Sequence, residues 1–190
     1  MRIFISGGCK NGKSFYAQRI AKAQCADMGT DSGLLYYIAT MKPVDKEDTQ
    51  RIARHRKERA GWGFTTIEQP ADIERILDKC DSGGSFLLDS VTALLANEMF
   101  LPNANDYTNK KIIHGLSQII NSVENIVVVS DFIYSDASLY DPLTEKFRKS
   151  LAEIDRAAAR ICKAVLEIAY SNVIIHKGGA AFDSVYKKIC

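Results

Sequence analysis

The stretch Gly7-Gly8-Cys9-Lys10-Asn11-Gly12-Lys13-Ser14 matches the spacing Gly-x-x-x-x-Gly-Lys-Ser/Thr without a mismatch. A strand-like run, Arg2 to Ser6, precedes it and a helix-forming run follows, which is the context that this spacing requires. Glycines let the backbone curl so that its N–H groups point at phosphate oxygens, and the positive end of the next helix adds to the attraction. The stretch therefore predicts a phosphate-binding loop for a nucleoside triphosphate.

Within that loop the last two side chains have separate expected tasks. Lys13 should reach the β- and γ-phosphates, and the Ser14 hydroxyl should ligate Mg²⁺. A second metal ligand is expected at the end of a buried strand, and Asp89 follows the apolar run Phe86-Leu87-Leu88. An aspartate at that place is also a common N-cap of the next helix, and the two roles are compatible.

Composition limits the classes of protein that the chain can form. With 190 residues, 46% hydrophobic and 25% charged, it has the length and composition of one globular domain. The formal net charge of +2 argues against a nucleic-acid binder, and no apolar stretch reaches the roughly 20 residues of a membrane span. Five scattered cysteines without Cys-x-x-Cys spacing favour reduced thiols and a cytoplasmic location over a zinc site.

Apolar runs alternate with amphipathic segments along the chain, which predicts an open α/β sheet. Because the runs are continuous and not alternating, strands buried on both faces and mostly parallel are expected. The expected strands are Arg2 to Ser6, Leu34 to Ala39, Ser85 to Leu88, Asn125 to Ser130, Val165 to Ala169 and Val173 to His176, the last two forming a hairpin around Ser171-Asn172. The expected helices are Ser14 to Ala26, Lys46 to Ala60, Asp72 to Lys79, Val91 to Phe100, Asn109 to Val123 and Leu143 to Ala164.

The fold class that follows is a single P-loop NTPase domain over residues 1–180, with a mostly parallel, RecA-like central sheet and a C-terminal hairpin. Residues 102–107 are expected to form a polar loop, and residues 181–190 a loosely attached tail.

A basic segment between the second and the third expected strand contains His55, whose role has two interpretations. His55 lies among five basic residues, and on a helix Arg51 and Arg59 would lie one turn to either side of it on the same face. Such a cluster could hold phosphate and favour a neutral imidazole, which can act as a nucleophile toward phosphorus. From composition alone, a solvated basic face with an incidental histidine is the simpler interpretation.

Several motifs in a fixed order resemble one known family. They are Gly-Gly-x-x-x-Gly-Lys-Ser at 7–14, Tyr-Ile-Ala-Thr at 37–40, Arg-Ile-x-x-His-Arg at 51–56, Gly-Trp at 61–62, Thr-x-Glu at 66–68, Leu-Leu-Asp-Ser-Val-Thr at 87–92, Asn97, and Phe-Arg at 147–148. The chain is similar to the bifunctional adenosylcobinamide kinase / adenosylcobinamide-phosphate guanylyltransferase family of cobalamin biosynthesis. The resemblance covers roughly residues 1 to 177.

The resemblance implies two reactions: phosphorylation of the aminopropanol hydroxyl of adenosylcobinamide, and GMP transfer from GTP onto that phosphate. It implies that His55 takes up GMP covalently, that ATP and GTP are substrates with Mg²⁺, and that the chain forms a homo-oligomer such as a trimer. It implies guanine-nucleotide contacts by Ala39, Thr40, Met41, Arg56, Lys57, Glu58, Arg59 and Glu68, and a nucleotide or metal role for Asp89.

Two segments depart from the family's pattern. After the strand ending at Ser130 the family usually carries Asn-Glu-Val-Gly, where this chain has Asp131-Phe132-Ile133-Tyr134; after Phe-Arg, Ala152 to Arg156 replaces the usual Gly-Arg-x-Asn-Gln. The resemblance thus implies an intact nucleotide half and an altered acceptor half that lacks an acidic side chain and a glycine. The alternatives are a P-loop kinase for another small hydroxylated substrate, and a GTP-binding paralogue without catalysis.

Overall fold

A seven-stranded sheet forms the centre of the protein. The computed structural model describes residues 1–29, 34–101 and 107–189, and of Arg51, Glu58, Tyr186, Lys188 and Ile189 only the backbone. The strands lie in the order β3-β2-β4-β5-β1-β6-β7; only β7 is antiparallel to its neighbour. They span β1 Arg2–Gly7, β2 Leu35–Ala39, β3 Thr65–Glu68, β4 Ser85–Asp89, β5 Asn125–Val129, β6 Ala164–Ala169 and β7 Asn172–Lys177.

Helices cover both faces of this sheet. They span α1 Lys13–Asp27, α2 Lys46–Glu58, α3 Val91–Met99, α4 Thr108–Ser122, α5 Pro142–Ile161 and α6 Gly179–Ile189, with a 3-10 helix at Ile73–Asp78. Side chains that alternate along each strand enter two separate cores. Phe86 and Leu88 of β4 pack with α3, α4 and α5 on one face, whereas Leu87 packs with α1 and α6 on the other. Both faces of the central strands are therefore buried, and the expected P-loop NTPase fold with a mostly parallel sheet and a C-terminal hairpin is confirmed.

Three expectations about the elements differ from the structure. The edge strand β3 was not expected, because Thr65–Glu68 is short and mostly exposed and lacks a buried apolar run. The expected helix at 72–79 is a 3-10 helix, and α5 ends at Ile161, so that β6 starts at Ala164. Residues 102–106 of the expected polar loop lie outside the described residues.

The expectation of a loose tail at 181–190 was wrong for the residues that the structure describes. Residues Gly179–Ile189 form α6, and Phe182 is fully buried in the same core as α1. The sequence signal was weak because only Phe182 and Val185 of this helix are buried in that core among its described side chains. The C-terminal helix is thus part of the packed structure.

Parallel strands bring several loops to one edge of the sheet. The carboxyl ends of β1, β2, β4 and β5 carry, respectively, the loop at 7–14, Thr40, Asp89 and Asp131. Ligands of open α/β sheets bind at this edge, so the candidate site is sought there.

Candidate nucleotide-binding site

The loop at 7–14 has the backbone shape that phosphate binding requires. Gly7 has φ +152°, and a Cβ there would lie 2.3 Å from the carbonyl oxygen of Ile168; Gly12 has φ +87° and caps α1. Only glycine satisfies the first position, because any side chain would collide with β6. Helix α1 begins at Lys13, one residue before the expected Ser14, and its first turn contains no acidic residue. The loop therefore directs a positive helix end and its own N–H groups toward one point.

The Lys13 ammonium is held by partners from within the protein. Lys13 is 7% exposed, and its Nζ donates to the Gly8 carbonyl oxygen at 2.6 Å and lies 2.8 Å from Asp131 Oδ1. A buried ammonium needs such partners, since leaving it unpaired would cost several kcal/mol. Asp131 thus contacts the ammonium that a phosphate loop uses to bind phosphate oxygens.

Ser14 and Asp89, the two expected metal ligands, are brought together across the sheet. Ser14 Oγ donates to Asp89 Oδ2 at 3.2 Å, and the Tyr37 hydroxyl donates to the same oxygen at 2.8 Å. A hydroxyl and a carboxylate oxygen at this separation fit Mg²⁺, which prefers hard oxygen ligands and binds phosphates at the same time. Ser90, not Asp89, is the side-chain N-cap of α3, because its hydroxyl accepts from Ala93 N.

Thr40 fixes the end of β2 against the end of β4. Thr40 is fully buried; its hydroxyl donates to the Ser90 carbonyl oxygen at 2.7 Å and accepts from Ser90 N at 2.8 Å. The Asn97 amide donates to the Thr40 carbonyl oxygen at 2.7 Å and to that of Pro70 at 2.9 Å. A nucleotide contact by Thr40 stays a prediction; the contacts observed for its side chain tie two strand ends together.

A buried carboxyl group supports the segment that departs from the family's pattern. Asp155 on α5 is 2% exposed and accepts hydrogen bonds from Ser130 Oγ at 3.0 Å and from the Tyr134 hydroxyl at 3.2 Å. Burial, assisted by the nearby Asp131 carboxylate, raises the pKa of Asp155 to about 7 against the opposing effect of the two hydrogen bonds. Burial also raises the pKa of Tyr134, with a further contribution from Asp155.

The expectation that this segment lacks an acidic side chain was wrong. Asp131 supplies a carboxylate two residues after the end of β5, and its backbone N–H donates to Thr92 Oγ1 at 2.9 Å. The signal was present in the sequence: Asp131 follows a buried strand, as Asp89 does.

Helix α2 carries the basic cluster. Asp45 caps this helix by accepting from Asp48 N, and the helix ends with His55, Arg56 and Lys57 in its last turn. His55 is half-buried, Arg56 and Lys57 are exposed, and the side chains of Arg51 and Glu58 lie outside the described residues. The side chains of Arg51, His55 and Arg59 were predicted to share one face of the helix, and the structure describes two of them, His55 and Arg59.

A cavity of about 650 Å³ lies beside the end of α2. It is lined by Arg56, Arg59, Ala60, Gly61, Gly63, Phe64, Thr66 and Glu68, and Arg56 forms an ion pair with Glu68. Arg59 is 7% exposed and stacks its guanidinium 3.5 Å above the ring of Tyr37, and its Nη1 has no hydrogen-bond partner among the described residues. A buried guanidinium with an unused donor is suited to binding an anion.

Tyr37 connects this cavity with the phosphate loop. Its hydroxyl contacts Asp89 and its ring supports Arg59, so one side chain of β2 joins the metal-ligand pair to the cavity. Of the other predicted nucleotide contacts, Cys9 and Lys10 are exposed on the loop, and Ala39 and Met41 are half-buried beside Thr40. The structure thus brings the loop, Asp89, Arg59 and the end of β2 together.

The described residues contain neither a cluster of metal-ligating side chains nor a membrane-spanning helix. No group of three or more His, Cys, Asp or Glu side chains in the described ranges could hold a metal ion. None of the described helices is both long and apolar enough to cross a bilayer.

The fold and the loop define a P-loop nucleotide-binding protein. The family model of cobinamide kinase / cobinamide phosphate guanyltransferase matches residues 3–171, and the chain belongs to this family. It is 38% identical over 100 residues to the bifunctional adenosylcobalamin biosynthesis protein CobP of Pseudomonas aeruginosa, covering 51% of this chain and 52% of that protein. It is 29% identical over 101 residues to the corresponding protein CobU of Escherichia coli K12, covering 53% and 51%. The matched part of the chain spans about half the length of these relatives.

Solved structures with a similar chain path come from Pyrococcus horikoshii OT3. A KaiC-like protein, PH0186, has a TM-score of 0.49 at 12% identity, covering 92% of this chain and 77% of that one. Protein PH0250 has a TM-score of 0.44 at 12% identity, covering 93% and 85%. Similarities of this size carry no information about activity.

Proposed function

We propose that this protein phosphorylates the aminopropanol hydroxyl of adenosylcobinamide and then transfers GMP from GTP onto the new phosphate. Family membership and the names of the two bifunctional relatives support this proposal. The observation that carries it is the contact of Tyr37 with both Asp89 and Arg59, because these contacts link an arginine-lined cavity to Asp89 and, through Ser14, to the phosphate loop. A protein that uses a triphosphate in two ways needs such adjoining regions.

The phosphoryl-transfer half rests on the loop and the two strand ends beside it. Loop amides and Lys13 bind the β- and γ-phosphates, and Ser14 and Asp89 would hold Mg²⁺, which neutralises phosphate charge during transfer. Gly8 and Asp131 hold Lys13 at the loop, so binding requires the phosphates to replace Asp131 beside the Lys13 ammonium.

The guanylyl-transfer half rests on α2 and the cavity. A ring nitrogen of His55 attacks the α-phosphorus of GTP, the bond to the bridging oxygen breaks, and pyrophosphate leaves with the electron pair. A phosphate oxygen of adenosylcobinamide phosphate then attacks the same phosphorus, and the N–P bond breaks. Arg59, with its unused donor, is suited to neutralise charge on the phosphates, and Arg56 and Glu68 line the same cavity. The expected nucleotide contacts of Lys57 and Glu58 belong to the same proposal.

We further propose a cytoplasmic location, a homo-oligomer, and ATP or GTP as phosphoryl donor. Expected contacts by Cys9, Lys10, Asn11, Ala39, Thr40 and Met41 belong to the same proposal.

The test is incubation with GTP, Mg²⁺ and cobinamide, followed by mass analysis of protein and product. We expect a protein adduct of one GMP, lost in His55→Ala, and a cobinamide product that carries phosphate and then GMP. An adduct that persists in His55→Ala refutes the histidine mechanism. Phosphorylation of another small alcohol without any adduct would identify a simple kinase, and tight GTP binding without turnover a paralogue without catalysis.

A further inference from the structure

Asp131 lies at the boundary between β5 and the phosphate loop. The backbone around it is fixed to β1 and to the loop, because Ser130 N donates to the Ile5 carbonyl oxygen and Phe132 N to that of Gly7, both at 2.9 Å. Its own N–H is bound by Thr92 Oγ1 at the start of α3. The carboxylate is thus positioned by elements from three neighbouring parts of the sheet edge.

The Asp131 carboxylate faces the place where the γ-phosphate is expected. Its Oδ1 lies 2.8 Å from Lys13 Nζ, and its side chain is 28% exposed. Lys13 of a phosphate loop contacts the β- and γ-phosphates once a triphosphate is bound. A group in contact with Lys13 is therefore next to the transferred phosphoryl group.

Triphosphate binding changes the surroundings of this carboxylate. Lys13 must share its charge with the phosphates, so Asp131 loses much of its cationic partner and faces new negative charge. Both changes release the carboxylate oxygen from its ion pair with Lys13. Asp89, another carboxylate at this edge, already accepts two hydrogen bonds on Oδ2 from Ser14 and Tyr37, and the Thr40 hydroxyl is used by Ser90.

We propose that Asp131 is the general base of phosphoryl transfer, a role that rests on the kinase activity proposed above. As the acceptor oxygen forms its bond to the γ-phosphorus, the hydroxyl proton moves to the Asp131 carboxylate. The bond between the γ-phosphorus and the bridging oxygen breaks, and the nucleoside diphosphate leaves with that electron pair. Charge and atoms balance without another reactant.

The test compares Asp131→Asn with the wild type and with Asp183→Asn, which removes an exposed carboxylate on α6. We expect Asp131→Asn to lower kcat for cobinamide phosphorylation by about 10²- to 10⁴-fold, the usual contribution of a general base. Binding of the Mg²⁺–triphosphate complex should be unchanged or tighter, because Asn competes less for Lys13. His55 should still take up GMP, and Asp183→Asn should have wild-type kcat.

Several outcomes would overturn the proposal. A kcat within threefold of the wild type shows that Asp131 only holds Lys13 in the ligand-free protein. Binding weakened by more than tenfold, with kcat retained at saturation, assigns Asp131 to metal or nucleotide binding. Asp131→Glu keeps a carboxylate and should be at least tenfold more active than Asp131→Asn. If Asp131→Asn does not fold, a comparison of Asp131→Ser with Asp131→Glu tests the same point.

Slow hydrolysis of the triphosphate, with water as acceptor, separates the two proposals. A wild type that hydrolyses the nucleotide but leaves cobinamide unmodified refutes the proposed function, and a loss of hydrolysis in Asp131→Asn then still supports the base. If the wild type turns over cobinamide and Asp131→Asn is equally active, only the proposal that Asp131 is the general base is refuted. A wild type with neither reaction refutes both.

Discussion

Replacing Asp155 by Asn should change how the stability of this protein depends on pH. Asp155 is 2% exposed, receives hydrogen bonds from Ser130 and Tyr134, and has no partner for Oδ1 among the described residues. Asn has nearly the same shape and can accept the same hydrogen bonds, but it carries no charge at any pH. The variant therefore removes the buried charge with little change in packing.

The magnitude follows from the two pKa values of this carboxyl. Burial raises the pKa of Asp155 from 3.8 to about 7 in the folded protein. The folded state consequently binds a proton that the unfolded state releases, so the stabilisation is complete below pH 3.8 and is lost as the pH rises through about 7. At about 1.4 kcal/mol per pKa unit the full effect is about 4 kcal/mol, of which about 2.5 kcal/mol falls between pH 5 and pH 8.

Urea unfolding of both proteins at pH 5, 6, 7 and 8 measures this effect. The free energy of unfolding of Asp155→Asn, relative to the wild type, should increase by about 2.5 kcal/mol from pH 5 to pH 8. Groups common to both proteins cancel in this difference, and the exposed-carboxylate variant Asp183→Asn should show no such trend. A difference that stays constant within about 0.5 kcal/mol over this range would refute the reasoning, because Asp155 would then titrate alike in the folded and unfolded chain.

Three further perturbations test the packing and the proposed site. Phe182→Ala should lower the free energy of unfolding by about 3–5 kcal/mol, because the ring is fully buried; a loss below about 1 kcal/mol in urea unfolding would mean that α6 is loosely attached. Tyr37→Phe should raise the Mg²⁺ concentration for half-maximal phosphoryl transfer by about fivefold, since one hydrogen bond to Asp89 is lost, and an unchanged Mg²⁺ titration contradicts this. Arg59→Lys should raise the KM for GTP in guanylylation by about tenfold, because Lys lacks the planar stacking surface, whereas equal KM values would leave Arg59 without a nucleotide role.

The sequence was most informative where the local structure depends on residues that are adjacent in the chain. The phosphate loop was predictable because its shape depends on eight consecutive residues, with glycines at 7 and 12 and a helix that starts at Lys13. Continuous apolar runs predicted five of the six parallel strands, because both faces of a central strand are covered. The edge strand β3 and the helix α6 escaped this reasoning, since β3 is exposed and α6 depends on the burial of Phe182.

The candidate site was only partly predictable for the same reason. Asp89 could be identified as a strand-end carboxylate, and the family resemblance selected His55 and the arginines after it. Neither spacing nor resemblance indicated that Tyr37 contacts both Asp89 and Arg59, because those partners come from other elements. The contacts of Tyr37, which lies in a buried strand, cannot be predicted from its neighbours in the sequence.

By itself, the sequence determined a triphosphate loop, a parallel α/β sheet and membership in one family. Only the tertiary structure decided which side chain each of the site's carboxylates contacts. Strand order places β5 beside β1, so that Asp131 contacts Lys13, and places β4 beside β2, so that Asp89 contacts Tyr37. These contacts join residues that are distant in the chain, and their geometry is set by strand order and register, which local residue patterns do not encode.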